Sequence, residues 1–308
     1  LSAETTGAGS TAIGYAALYA QNSTSSADMF NTAVGNSAGV AVTDGFHNTF
    51  VGAKAGAAVT TGDENTAVGY ESLLTSTTAD YSTAVGHSAL RAATSGGFNT
   101  AVGRDAGVVT TTASGAALLG ERAGTALTTG NATTAIGQLA LSLLTTGFDN
   151  TALGNGAGKT LTTGYQNICL GKDAVTSSAT VNGEAIIGTS VINNLRCNDT
   201  SISSLSDLRD KTNIVDIPLG LNFLNTVRPV SFDWDRRDGS QAGKKDFGFI
   251  AQELKVAADA TVYADHMRLV CEENPDRLEA DPMKMFPVLV KALQELSAKN
   301  DALEARLT

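Results

Sequence analysis

The fold class predicted is a mainly β repeat array, a parallel β-roll or β-helix of 17-residue coils, followed by a small α+β domain ending in a coiled-coil helix. Three observations predict it. Glycine recurs every 17 residues from Gly35 to Gly188, the residue before each of these glycines is aliphatic, and charge density rises abruptly after Leu205. Positions 1–205 hold 13 acidic and 7 basic residues, whereas positions 206–308 hold 18 and 14. A shift of that size marks a domain boundary in a chain of 308 residues, long enough for one large domain or two ordinary ones.

The array reads NTAVGNSAG (31–39), NTFVGAKAG (48–56), NTAVGYESL (65–73), STAVGHSAL (82–90) and NTAVGRDAG (99–107), and runs on to EAIIGTSVI (184–192). The first unit, STAIGYAAL, is offset, with Gly14 lying 21 residues before Gly35. The aliphatic column (Ile13, Val34, Val51, Val68 and onward to Ile187) and the mostly Thr column two positions earlier share one strand face by the period of two. Between them runs a column of Ala, varied by Phe50, Leu118, Cys169 and Ile186, which points to the opposite face. A strand apolar on both faces must be covered on both. The interior of a narrow coil is one cover, and a neighbouring subunit is the simplest other.

The second half of each unit is predicted to turn and to return as a second short strand. There a triplet most often written TTG brings Gly45, Gly62, Gly130, Gly147 and Gly164 into register, where glycine permits a left-handed or a tightly approached backbone. Seventeen residues in two strands and two turns leave no room for a helix, so the coils stack as an array that is stable only as such.

These NTAVG units resemble the head repeats of trimeric autotransporter adhesins over roughly residues 10–192. The resemblance implies a left-handed β-roll in each chain, with three rolls packed around an axis. An outward Thr lattice on such a solenoid is also a surface that binds ice. Here Thr shares its face with the aliphatic column, which predicts burial, and Thr suits β structure and local hydrogen bonding in any case.

After the array (1–193) comes a polar connector (194–205), rich in Ser, Thr and Asn. In the third region, 206–308, strands are predicted at PVSFDW (229–234) and at the start of DFGFIAQEL (246–254), which turns helical after Gly248, with RRDGS (236–240) as the loop between them. Phe286, Leu289, Leu293, Leu296, Asn300, Leu303 and Leu307 alternate spacings of three and four, the seam of a coiled coil at about 287–308. Asn300 falls on that seam, where a buried amide sets register and oligomer state.

SDLRDKTNI (206–214), VRPVSFDW (227–234), FGFIAQEL (247–254) and the terminal LVKALQELSAKNDALEARL resemble, in that order, the self-cleaving intramolecular chaperone at the C-terminus of phage tail spikes and fibres, the endosialidase type. The resemblance implies a Ser-Lys peptidase that cuts its own chain after a trimer has assembled. Carried onto this sequence it makes Ser206 the nucleophile, Lys211 the general base and Leu205–Ser206 the scissile bond. A serine hydroxyl needs a base, and a lysine serves only when its amine is neutral. A neighbouring cation such as Arg209 favours the neutral form, whereas carboxylates such as Asp207 and Asp210 oppose it. Neighbours on one helical face are three or four apart, so a pair five apart predicts a loop or irregular strand.

Other functions find no footing. A net charge of −10 without clustered Lys or Arg excludes a nucleic-acid partner. His47, His87 and His266 are scattered and the three cysteines (Cys169, Cys197, Cys271) are odd in number, so neither a metal site, a cofactor nor a disulfide framework is expected. No apolar run is long enough to insert into a membrane. A chain opening on Leu1 reads as a fragment, with any targeting segment upstream. The expected protein is a homotrimeric virion or cell-surface fibre that meets a host glycan or protein receptor, with exposed turn residues such as Tyr70, His87 and Arg104 as candidate contacts. A bacterial surface adhesin and a polysaccharide-degrading tail spike are the alternatives.

Overall fold

Each unit of the repeat contributes one short strand, and the strands stack in chain order. The computed structural model describes residues 9–22, 28–189, 192, 196, 206–237, 241–272, 276 and 278–307. The chain divides into two units, Leu1–Thr189 and Ser190–Thr308. In the first, three-residue strands from β1 (Thr11–Ile13) to β11 (Ala185–Ile187) form an 11-stranded parallel sheet in sequence order. Register follows the repeat, so that Thr66, Ala67 and Val68 pair with Thr83, Ala84 and Val85. The first step pairs Thr11 with Thr32 and absorbs the longer offset. The unit is a parallel β-solenoid of 17-residue coils.

The middle residue of each strand points inward. Ala33, Phe50, Ala67, Ala84, Ala101, Leu118, Ala135 and Ala152 are all fully buried. Volume is balanced within and between coils. Where the strand carries Phe50 or Leu118, the position six residues on is Gly56 or Gly124; where it carries Ala67, Ala84 or Ala135, that position is Leu73, Leu90 or Leu141. A Cβ on Gly124 would stand 2.8 Å from Leu118 Cδ2, so no void remains for one. Interiors this narrow tolerate neither gaps nor surplus methylenes.

The Asn that opens most units also lies inside. Asn48 is fully buried; its Oδ1 accepts the backbone N–H of Asn65 at 2.9 Å, and its Nδ2 donates to the Gly62 carbonyl at 2.8 Å. Asn31, Asn65, Asn99, Asn150 and Asn167 bond in the same way to the next coil. The column satisfies buried backbone groups that neither the sheet nor water reaches.

The predicted return strand does not form. In the unit of Gly35, three residues of the second half, Ser37, Gly39 and His47, take left-handed φ values of 56°, 57° and 57°, which interrupt any extended run. The coils still bond to one another there: the Thr43 N–H reaches the Thr60 carbonyl at 3.0 Å, and the hydroxyl of Thr94 reaches the Thr111 carbonyl at 3.1 Å. Of the two roles open to the TTG glycines, close approach is the one observed, since a Cβ on Gly45 would stand 2.5 Å from the Gly62 carbonyl oxygen. The glycine that ends each strand meets both demands. Gly86 has φ +130°, and its Cβ would stand 2.6 Å from the Gly103 carbonyl oxygen.

The Thr and aliphatic columns face outward, and their own chain does not cover them. Ile13, Val51, Val102, Leu119, Ile136, Leu153 and Ile187 are 36–59% exposed. The reason is geometric: alternate strand residues point to opposite faces, and the coil has only one interior, which the Ala column fills.

The second unit is built around Phe223, Leu254, Ala258, Met267, Leu269, Met285 and Val288. The antiparallel pair β12 (Val230–Asp233) and β13 (Lys245–Gly248) coincides with the predicted strands. Helix α1 (Leu221–Leu224) precedes it, and α2 (Ala251–Asp259) and α3 (Ala264–Met267) follow. A two-residue pair, β14 (Val270–Cys271) with β15 (Glu279–Ala280), leads to α4 (Phe286–Leu307). Helix α4 docks through Val288 and Ala292, and its Glu295 carboxylate accepts the N–H of Leu221 at 2.9 Å, capping α1. The predicted seam is a different face: Phe286, Leu289, Leu293, Leu296, Leu303 and Leu307 are 44–88% exposed. The helix therefore has one apolar stripe for its own domain and a second that its own domain does not cover.

Candidate functional site

Ser206 and Lys211 lie in loop backbone, with a single 3-10 turn, Leu208–Asp210, between them. Asp207 starts the turn: its backbone is extended and its carboxylate accepts the Arg209 N–H at 2.9 Å. The Lys211 N–H closes the turn on the Leu208 carbonyl at 3.2 Å, after which the backbone is extended again. A 3-10 turn rises only about 2 Å per residue, so the residues at its two ends stay near each other. Lys211 Nζ donates to Ser206 Oγ at 2.5 Å and to the Ser206 carbonyl at 3.3 Å.

The charges around this pair are arranged differently from the sequence expectation. Arg209 Nε and Nη2 donate to the two oxygens of Asp207 at 3.0 and 2.6 Å. The guanidinium holds the Asp207 carboxyl below the usual carboxylate range, and Asp207 in turn raises the pKa of Arg209. The cation and the anion that were expected to act on Lys211 from opposite sides are committed to each other. Residues 206–211 are all exposed. Leu205, on the other side of the predicted scissile bond, lies outside the described residues, as do Cys197 and most of the connector.

A hydroxyl and an amine at hydrogen-bond distance are the geometric minimum for base-assisted nucleophilic attack. In the arrangement seen, the amine donates and the hydroxyl accepts. Proton transfer in the opposite sense requires that the amine first lose a proton.

The described chain consists of a parallel β-solenoid followed by a small α/β unit that carries a Ser-Lys contact. Residues 206–263 match the model of the family Peptidase_S74, the chaperone of endosialidase. This segment of the second unit is thus similar to the intramolecular chaperone of the endosialidase type, a family that implies self-cleaving peptidase activity in general. The match covers the turn, β12, β13 and α2 and stops at Tyr263, so α4 lies beyond it. No curated protein and no solved structure matches the chain.

Among the described residues no cluster of His, Cys, Asp and Glu fits a metal ion, and no helix is long and apolar enough to cross a membrane. Cys169 belongs to the buried strand column, where burial pushes its thiol up to about 11, whereas Cys271 is exposed. On the turns of the solenoid, Tyr70 stacks on His87 with ring centroids 5.4 Å apart, and Arg104 pairs with Glu121. The sequence reading missed the further stacks Tyr81–Phe98 and Phe148–Tyr165, at 5.0 and 4.8 Å. The signal was present, since each pair is separated by one 17-residue period.

Proposed function

We propose that the chain is a trimeric extracellular fibre of the phage tail-fibre or tail-spike kind. Its C-terminal domain aligns and trimerises three chains, then detaches itself by cutting Leu205–Ser206. Ser206 is the nucleophile and Lys211 the general base. Once neutral, the amine takes the hydroxyl proton as Oγ adds to the Leu205 carbonyl carbon; the C–N bond breaks, the proton passes to the leaving Ser206 amine, and an ester joins Leu205 to Ser206 Oγ. Water then hydrolyses the ester, so the net change is addition of one water to one peptide bond. The observation that carries this reading is the Lys211–Ser206 contact at the first residue of the chaperone-family segment.

Trimerisation is supported by two uncovered apolar features, the outer aliphatic column of the solenoid and the seam of α4. A removable aligning device suits this array. Sliding one coil past another by 17 residues preserves every column, so the repeat specifies register poorly, and non-local pairing is slow. Cutting the device away after assembly leaves the array held by its unfolding barrier alone. Exposed turn side chains such as Tyr70, His87 and Arg104 are the candidates for contact with a host receptor.

The test is intact mass and N-terminal sequencing of fresh protein beside Ser206→Ala and Lys211→Ala, with light scattering before cleavage. A fragment beginning at Ser206 from wild type, and from neither variant, is expected. Wild-type trimers that never yield it would sink the peptidase reading, and a monomer before cleavage would sink the trimer.

A further inference from the structure

The contact between Lys211 and Ser206 is made inside one chain and depends on one short turn, and the turn depends on Asp207. Without a side-chain acceptor at that position, the Arg209 N–H loses its partner, and only two backbone bonds of an exposed turn, from Asp210 N–H to Asp207 and from Lys211 N–H to Leu208, remain to hold the 3-10 conformation. Arg209 adds a second function. It occupies both oxygens of Asp207, the carboxylate next to Ser206 and four residues from Lys211. Set free, that carboxylate competes with Ser206 Oγ for the Lys211 ammonium. The other carboxylate on this turn is Asp210, and among the described residues no charged group of another element pairs with Lys211.

We infer that Asp207 and Arg209 are positioning residues for the proposed cleavage: Asp207 caps the start of the turn that seats Lys211 on Ser206, and Arg209 keeps Asp207 away from Lys211. A corollary is that nucleophile and base come from the same chain. The inference rests on the Ser-Lys reading and deepens it. It also revises the simplest picture of assembly control, because association need not bring the two groups together.

The experiment follows first-order cleavage in full-length trimers, with trimer yield measured in parallel. Asp207→Ala is expected to slow cleavage by about five- to tenfold, the population shift that follows from losing one cap. Asp207→Asn retains an acceptor for the Arg209 N–H and restores the rate to within about twofold. Arg209→Ala is expected to move the pH–rate profile toward higher pH, and Arg209→Ala combined with Asp207→Asn to move it back. General damage to the fold would lower trimer yield without a pH shift or rescue. The inference is wrong if Asp207→Ala cleaves at the wild-type rate, if Asn fails to rescue it, or if Arg209→Ala leaves the profile in place while wild type cleaves.

Mixed trimers test the corollary. Differently tagged Ser206→Ala and Lys211→Ala chains are co-expressed, with wild type beside Ser206→Ala as the control. No cleavage is expected in the first mixture, and cleavage of the wild-type chain alone in the second. Cleavage of the Lys211→Ala chain would overturn the single-chain assignment. An uncleaved wild-type chain would instead overturn the Ser-Lys reading itself.

Discussion

Gly86→Ala isolates what the recurrent glycine does. The substitution adds one methyl at φ +130°, a backbone region that L residues rarely adopt, and places it 2.6 Å from the Gly103 carbonyl oxygen and 2.8 Å from its carbon. Ordinary carbon–oxygen contact needs well over 3 Å, so the coils must part. The ladder bond from the Gly103 N–H to the Val85 carbonyl, 2.8 Å long, stretches with them. Strained φ costs about 1–3 kcal/mol and a weakened buried hydrogen bond about 1 kcal/mol. The sum is about 2–4 kcal/mol. Gly115→Ala is the control, because Gly115 also has positive φ, +71°, but its Cβ would meet nothing closer than 3.9 Å. That variant bears only the left-handed term, about 1–2 kcal/mol. The assay is thermal unfolding of the protein with hydrogen exchange over residues 80–105. Faster exchange is expected around Gly86 in the first variant, together with a midpoint well below that of the second. Equal midpoints would refute the argument, since both the φ of +130° and the approach of the next coil burden Gly86 more than Gly115.

Leu118→Ala is expected to destabilise the solenoid by about 2–5 kcal/mol, because Leu118 is fully buried between coils. Adding Gly124→Leu recreates the Ala135/Leu141 pairing of the next coil, where Leu141 already sits at φ 48°, and is expected to recover much of the loss; a double variant no more stable than the single one would show that the columns do not exchange volume. Native protein treated with iodoacetamide at pH 8 and peptide-mapped is expected to label Cys271 and spare Cys169, whose thiol burial has raised to about 11; labelling of Cys169 before unfolding would contradict its place in the coil. The Glu71 carboxyl is held below its ordinary range mainly by its hydrogen bond to Arg91, with Lys54 a further partner. A depressed carboxyl stabilises above its unfolded pKa and loses that contribution as pH falls through the folded one. Arg91→Ala is therefore expected to lower the melting point slightly at pH 7 and to converge with wild type below about pH 4; a difference that grows on acidification would reverse the sign.

The solenoid was legible because its constraint is local and repeated. A strand column, a glycine and a period recur in every unit, and a side chain that stacks on its own kind announces itself by repetition. The β12–β13 pair and the start of α2 were legible for the ordinary reason that periodicity changes at Gly248. The second half of each coil was not. Leu73, Leu90 and Leu141 look like strand residues, yet each adopts a left-handed φ near 48°, because a coil this small must turn sharply to enclose its own core. The six buried Asn residues were visible as the first letter of NTAVG, but their role depends on backbone groups 14 and 17 residues away that only the wound coil brings within reach.

The candidate site divides in the same way. Ser206 and Lys211 were picked out by the motif around them, and residue types alone say that a serine needs a base. The sequence set Arg209 against Asp207 and Asp210 with no means of ranking them, since electrostatic influence depends on distance and direction. The folded turn ranks them by binding Arg209 to Asp207 and leaving Lys211 on Ser206. Composition and period determine that this chain winds into coils and changes character after Leu205. Which face of the strand lies inside, which stripe of α4 its own domain leaves open, and which charge answers which are decided only when the chain closes on itself, because burial and pairing are properties of neighbours that sequence order does not name.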